Sequence, residues 1–303
     1  MNDFEGGGLA IGLSCPHMHA DPTCATLFLK SWTELYCRAA MAHHPFFHPP
    51  GLSGRANPNT GTKSAKYYET KSRAEPTSSV KLSTVTFRFS DTTIKKCLSE
   101  IQTKYPSATP FDMLTALFWS SVTRAKNHSH EKQCSLSIGI DFRKLLHAPL
   151  PHGFFGNALH FSKLESDVDA MEEGGLAYVS GVVHEHLSSL DEEDYWSVID
   201  WFESQKGEGG KFAPPFIMYG PELTCVNMEH LSAYNAVLED MKPIHVSYHV
   251  GNIEGEGLIF VLPSPEEGLG RTVIVTLPSD QTVKLCDDPA ILGLDPIFLI
   301  SGR

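Results

Sequence analysis

Two histidines and an aspartate lie close together in residues 16–21 (PHMHAD), and these side-chain types allow three chemical interpretations. In the first, H-x-x-x-D, His17 acts as a general base and Asp21 sets the local geometry. In the second, His17, His19 and Asp21 bind a metal ion, although a zinc motif that begins H-x-H-x-D needs a further His where this chain has Pro22. In the third, Asp21 only caps a helix and the histidines have no chemical role.

Other motifs give weaker chemical signals. Ser14 lacks the second glycine of a G-x-S-x-G nucleophile elbow, because Pro16 stands in its place. Residues 6–8 (GGG) precede a predicted strand, whereas a phosphate-binding loop follows one, so they predict a turn. The other histidines considered as metal ligands are His43, His44, His48, His184 and His186. Neither group is a good ligand set, because the first lies in a polar segment and the second is two positions apart on a predicted helix.

A strand and a helix are expected to position the motif. Residues 8–14 (GLAIGLS) form a short apolar run between glycines, which predicts a buried strand. The Asp-Pro step that closes the motif is a helix-start signal. Phe28, Trp32 and Leu35 then recur on one face, so residues 22 to about 40 are predicted to form an amphipathic helix.

The rest of the chain predicts a mixed α/β fold. Residues 43–80 are rich in Pro, Gly, Ser, Thr, Asn and Lys, and they are predicted to be a flexible linker. Strands are predicted at residues 85–90, 134–140, 158–161, 244–250, 258–262 and 272–277, the last two joined as a hairpin or meander. Helices are predicted at residues 91–104, 168–189 and 192–206. Another helix is predicted to begin at the capping signal of residues 109–112.

Composition and charge restrict the partners and the compartment. The 24 Lys and Arg against 36 Asp and Glu give a net charge of −12, which disfavours nucleic acid or an anionic membrane as a direct partner. The seven cysteines contain no C-x-x-C pair, so neither a disulfide framework nor a zinc knuckle is expected. We find no apolar run long enough to span a bilayer. The protein is therefore expected to be cytoplasmic, or held at the endoplasmic reticulum through a partner.

Two further segments join the H-x-x-x-D motif in a pattern that resembles one known family. Residues 141–143 (DFR) and 149–157 (PLPHGFFGN) match D-x-R and P-L-P-x-G-Y-F-G-N of the plant BAHD acyl-CoA-dependent acyltransferases. The resemblance covers nearly the whole chain. It implies a chloramphenicol-acetyltransferase-like fold of two lobes with the active-site His in a channel between them. It also implies acyl-CoA as co-substrate and no bound cofactor or metal.

The same resemblance implies roles for particular residues. His17 would remove a proton from an acceptor hydroxyl or amine, which attacks the thioester of acyl-CoA without a covalent acyl-enzyme. Asp21 would orient the motif rather than touch substrate. Structural roles are implied for Asp141, Arg143, Gly153, Gly156 and Asn157. No substrate-binding residue is assigned.

Two departures from the family pattern change the expectation. The second family signature, D-F-G-W-G-K-P, falls at residues 237–243 (VLEDMKP), where only the final Lys-Pro remains. With this motif lost, and with the sequence found at residues 13–22, the chain resembles the Eceriferum clade. That clade is associated with cuticular wax, and its members help a fatty-acid elongase make very-long-chain acyl intermediates. The resemblance thus predicts an accessory to an elongase condensing enzyme, with an active acyltransferase and an inactive truncated fragment as the alternatives.

The second departure is the position of the motif, which the family carries well into the chain and which begins here at residue 17. The expectation is that most of the N-terminal lobe is missing. Residues 1–42 would be its remnant, 43–80 the crossover linker, and 81–303 the C-terminal lobe.

Overall fold

The structure is a computed structural model that describes residues 1–38, 40–48, 51–74, 80–126, 132–207, 217–251 and 253–299. The helices in these ranges are α1 (Pro22–Tyr36), α2 (Lys63–Ser72), α3 (Asp91–Gln102), α4 (Pro110–Ala125), α5 (Val168–Ser188), α6 (Glu192–Ser204), α7 (Ser279–Cys286) and α8 (Pro289–Leu292). The strands are β1 (Asn2–Asp3), β2 (Leu9–Ala10), β3 (Leu82–Phe89), β4 (Gln133–Asp141), β5 (Leu159–Asp167), β6 (Leu223–Asn227), β7 (Leu258–Pro263), β8 (Arg271–Pro278) and β9 (Ile297–Leu299).

One mixed sheet organises the molecule. Its strands lie in the order β5-β4-β6-β7-β8-β3-β9. The pairs β4–β6 and β6–β7 are parallel, and the other neighbours are antiparallel. The predicted α/β class is confirmed, and β7–β8 is the hairpin expected from the sequence. None of the helices described is long and apolar enough to cross a membrane.

Each face of the sheet is covered by its own apolar cluster. On β7, Ile259 and Phe260 belong to different clusters, because successive side chains of a strand point to opposite faces. The larger cluster includes α3, α4 and α5, and in it the ring centroids of Phe87 and Phe118 lie 5.3 Å apart. The smaller one includes residues of α2 and α6, and it also contains Tyr219. The helices therefore hold the sheet rigidly on both sides.

Local capping signals set the predicted helix starts. The backbone amide of Asp112 donates to Thr109 Oγ1 at 3.2 Å, and the amide of Thr109 donates to the Asp112 carboxylate at 2.8 Å. This capping box starts α4, whose predicted apolar face is buried. Ser90 caps α3 in the same way by accepting from the amide of Thr93. These predictions are confirmed.

The predicted linker contains a packed helix. Within residues 43–80, Thr62 accepts a hydrogen bond from the amide of Ala65 at 3.1 Å and starts α2. Tyr67 and Tyr68 of this helix are buried. The segment predicted as a flexible linker thus includes a regular helix, because a few aromatic side chains outweigh its polar composition once a partner surface is present. Residues 49–50 and 75–79 lie outside the described residues, and the three-part division of the chain stays a prediction.

An ion-pair network ties the segment before α2 to α6. The guanidinium of Arg55 binds the Asp200 carboxylate at 2.7 Å and Glu193 at 2.6 Å. The Asp200 side chain is fully buried and also accepts from the backbone amides of Arg55 and Asn59. Burial alone would raise the pKa of Asp200. The hydrogen bonds from Arg55 and the two amides have the larger effect, so the pKa lies below its ordinary value and the carboxylate stays charged.

Two strand predictions are wrong. Residues 8–14 form only the short strand β2, which pairs with β1 and with no strand of the large sheet. The helix predicted from residue 22 is confirmed as α1, and on its apolar face Phe28 is 49% and Leu35 55% exposed. Residues 244–250 alternate between exposed and half-buried side chains, but their backbone belongs to no described strand. An apolar period shows which side of a segment is apolar, and it does not show what covers that side.

Candidate active site

His17 lies between β2 and α1 and is held at both its ring and its backbone. Its Nε2 atom is 3.1 Å from the hydroxyl of Tyr219. The side-chain amide of Asn157 donates to the His17 carbonyl at 2.8 Å. His17 Nδ1 is buried and has no hydrogen-bond partner among the described residues. The structure thus brings His17 together with Asn157 and Tyr219.

Asp21 caps the start of α1. Its carboxylate accepts from the amide of Cys24 at 3.0 Å and from the amide of Ala158 at 2.9 Å. It also binds the guanidinium of Arg143 at 2.8 Å, and its side chain is fully buried. Because its oxygens are engaged by these donors, Asp21 can hold the start of α1 in place but cannot serve as a base or a metal ligand.

Arg143 links the motif to the turn after β4. Its guanidinium binds Asp141 at 2.7 Å and the carbonyl of Gly156 at 2.6 Å, in addition to Asp21. It also lies over the ring of Phe154, 5.6 Å from the centroid. Burial alone would lower the pKa of Arg143. The charges of Asp21 and Asp141 have the larger effect, so its pKa lies above the ordinary value. The arginine is therefore a charged clamp between two carboxylates.

Asp141 shares its carboxylate with two groups that the sequence did not single out. The hydroxyl of Thr23 donates to it at 2.8 Å, and His230 Nε2 lies 3.1 Å away. Burial alone would raise the pKa of Asp141, but the hydrogen bond from His230 and the charge of Arg143 bring it down to about 2. Asp141 is therefore ionised and structural.

The thiol of Cys24 fills the space between α1 and the loop around Gly156. Cys24 Sγ donates to the Gly156 carbonyl at 3.1 Å and accepts from the Gly156 amide at the same distance. Burial and the charge of Asp21 raise the pKa of this thiol to about 11. Cys24 is therefore neutral and is not a nucleophile.

Gly153 and Gly156 allow close approaches that a larger residue would block. A Cβ atom on Gly153 would lie 1.9 Å from the carbonyl oxygen of His44. The amide of Phe46 donates to the Gly153 carbonyl at 2.7 Å, so this glycine joins the loop to the predicted linker. A Cβ atom on Gly156 would lie 2.7 Å from the ring of Phe154.

Tyr219 enters the site from the smaller apolar cluster. Its ring packs edge to face with Phe161 and Phe260, at centroid distances of 6.1 Å and 6.2 Å. Burial raises the pKa of Tyr219, and the charge of Asp21 raises it further, so the phenol stays protonated. Sequence reasoning missed Tyr219 and His230, which lie around β6, far along the chain from residue 17. No local pattern marks them, whereas Thr23 and Cys24 directly follow the motif.

The other candidate motifs are placed apart from one another by the fold. Within the described ranges, His, Cys, Asp and Glu form no group of three or more that could hold a metal ion. His184 instead binds Asp112 at 2.9 Å.

Residues 237–243, where the second family signature is expected, form a tight turn in which Glu239 and Asp240 have positive φ angles of 48° and 66°. The side chains of residues 239–242 in this turn are exposed.

Comparison with known proteins identifies the family. Residues 1–291 match the model of the Transferase family, so the chain belongs to this family of BAHD acyltransferases. It is 24% identical to shikimate O-hydroxycinnamoyltransferase of Nicotiana tabacum, covering 91% of this chain and 65% of the relative. It is 26% identical to rosmarinate synthase of Plectranthus scutellarioides (90% and 64%) and 22% identical to Protein ECERIFERUM 2 of Arabidopsis thaliana (95% and 63%). The chain spans about two thirds of the length of these relatives.

Solved structures share the fold. F. graminearum TRI101 complexed with ethyl coenzyme A superposes with a TM-score of 0.74 at 11% identity, covering 92% of this chain and 64% of that one. Vinorine synthase gives a TM-score of 0.60 at 15% identity, with 92% and 60% covered. The chain therefore has the α/β fold of the chloramphenicol-acetyltransferase-like acyltransferases.

Proposed function

We propose that this protein is an Eceriferum-type accessory that promotes very-long-chain fatty acid elongation for wax synthesis, acting with a condensing enzyme of the elongase. In this role it binds acyl-CoA or a very-long-chain acyl intermediate, and it does not itself transfer the acyl group. The observation that carries the proposal is the state of the His17 ring. Nε2 is engaged by Tyr219, and Nδ1 is a buried atom.

A general base needs a lone pair within hydrogen-bond reach of the proton that it removes. In His17 one nitrogen already has a hydroxyl partner and the other is buried, so neither offers an accessible lone pair in this arrangement. The altered segment at residues 237–243, with its tight turn and exposed side chains, supports the same conclusion. So does the similarity to Protein ECERIFERUM 2.

The second candidate is an active acyl-CoA-dependent O- or N-acyltransferase. It is favoured by the scaffold of Asp21, Arg143 and Asp141, which ties the start of α1 to the turn after β4, and by the hydroxycinnamoyltransferase relatives. In this mechanism His17 accepts the proton of the acceptor hydroxyl or amine. The acceptor attacks the thioester carbonyl, the C–S bond breaks, and the CoA thiolate leaves. A base of this kind contributes about 10²- to 10⁴-fold in rate.

One experiment separates the two functions. The chain is coexpressed with an elongase condensing enzyme, and the chain lengths of the products are measured for wild type, His17→Ala and the neighbouring control His19→Ala. For an accessory protein, we expect His17→Ala to retain the shift in chain length. Loss of the shift in His17→Ala alone would favour the transferase, and no shift with the wild-type chain would contradict the accessory role.

A further inference from the structure

The group that meets the base nitrogen of His17 is itself a hydroxyl. Tyr219 presents an aromatic alcohol to Nε2 at 3.1 Å, and an alcohol is also the group that an O-acyl acceptor presents to its base. We infer that Tyr219 caps His17, occupying the hydrogen-bond position on Nε2 that an acceptor hydroxyl would need. This inference deepens the proposed function, because it names the side chain that keeps the site from transferring acyl groups.

Tyr219 is the fixed partner of the pair. Its ring is buried between Phe161 and Phe260, and its carbonyl accepts from the amide of Glu254 at 3.1 Å. The residues on either side of His17, Pro16 and Met18, are exposed, and Met18 is 81% exposed. The hydrogen bond to Tyr219 therefore fixes one end of the imidazole against a buried ring.

Either direction of this hydrogen bond keeps Nε2 from an acceptor hydroxyl. Burial keeps Tyr219 protonated, so its O–H can donate to a bare Nε2, and its oxygen can accept from an Nε2–H. In the first tautomer the lone pair of Nε2 is used, and in the second Nε2 carries a proton and has no lone pair to offer. Nδ1 is buried and has no hydrogen-bond partner among the described residues, so it offers no accessible alternative.

An acceptor must compete with Tyr219 for the same nitrogen. The net free energy of a hydrogen bond between neutral groups corresponds to about a two- to tenfold difference in population. Removing the hydroxyl while keeping the ring should therefore make Nε2 accessible by about that factor.

The test measures the chemical accessibility of His17 rather than activity. Diethyl pyrocarbonate modifies neutral imidazole nitrogens, and peptide mass spectrometry assigns the modification to His17. We expect Tyr219→Phe to speed this modification about two- to tenfold. Tyr248→Phe is the matched control, because its hydroxyl binds Thr26 of α1 at 3.2 Å and does not touch His17. Equal rates in wild type and Tyr219→Phe, or equal acceleration by Tyr248→Phe, would overturn the capping role.

A second measurement separates capping from the proposed function. The thermal unfolding midpoint of Tyr219→Phe should stay close to that of wild type, since the buried ring is retained. A variant that unfolds far earlier, with all histidines modified at similar rates, would contradict the capping role.

If Tyr219→Phe shows acyl transfer from acyl-CoA that the double variant His17→Ala/Tyr219→Phe lacks, the cap is supported and silences a working base. If His17 becomes accessible without any transfer, the cap is still supported and the transferase alternative fails.

Discussion

The carboxylate of Asp21 and the guanidinium of Arg143 lie 2.8 Å apart, and both side chains are buried. The two residues are 122 positions apart in the sequence, so this pair joins the start of α1 to the turn that follows β4. The position of His17 depends on this junction, because α1 begins immediately after the motif.

Arg143→Ala should destabilise the protein by about 3–5 kcal/mol, because it leaves the carboxylates of Asp21 and Asp141 without their buried counter-charge. The exposed pair of Arg73 and Glu69 provides the control, and Arg73→Ala should change stability by no more than about 0.5 kcal/mol. Urea unfolding of both variants measures the difference. Similar losses for the two would show that the buried clamp is no stronger than a surface pair.

Gly153→Ala should disrupt the junction between residues 44–46 and the loop at 153–155. The added methyl would meet the His44 carbonyl, so the backbone must separate and the hydrogen bond from Phe46 must break. We expect a loss of about 1–3 kcal/mol in the free energy of unfolding. Gly12→Ala is the control, since its Cβ atom would meet nothing within 4 Å. A neutral Gly153→Ala would show that this contact is dispensable.

Arg55→Ala should release the segment before α2 from α6. The fully buried Asp200 carboxylate would lose its charged partner, at a cost of about 1.5–3 kcal/mol. Thermolysin should then cleave residues 43–62 faster than in wild type. The exposed Lys66→Ala on α2 should leave the cleavage rate unchanged. If Arg55→Ala and wild type are cut equally fast, the ion pair does not anchor this segment.

His160 should make the protein sensitive to mild acid. Burial lowers the pKa of His160 from its ordinary value of 6.5 to about 4, so the unfolded chain binds the proton more tightly than the folded one. The stability that this residue contributes is present above pH 6.5 and is lost as the pH falls toward 4, by about 3 kcal/mol. His160→Gln should remove this component of the pH dependence of unfolding, and the exposed His147→Gln should retain it. Identical pH profiles for His160→Gln and wild type would contradict this assignment.

The sequence by itself determined the elements whose signals are local. The capping box at Thr109 and Asp112, the cap at Ser90 and the start of α1 at Asp21 were predictable, because each depends on a bond between residues three positions apart. The β7–β8 hairpin follows from two apolar runs joined by a short turn. The resemblance added the residues that meet around Asp21, because the D-x-R and P-L-P-x-G segments fix their spacing.

Only the tertiary structure decided which distant groups meet. Tyr219 reaches His17 across 202 positions, and no pattern near either residue predicts that contact. Helix α2 was hidden by a polar composition, since its stability comes from burial of two tyrosines against surfaces far along the chain. The period of α1 located its apolar face, and only the structure shows that Phe28 and Leu35 on this face are exposed. Periodicity records the chemistry of one segment, whereas burial depends on what the rest of the chain places against it.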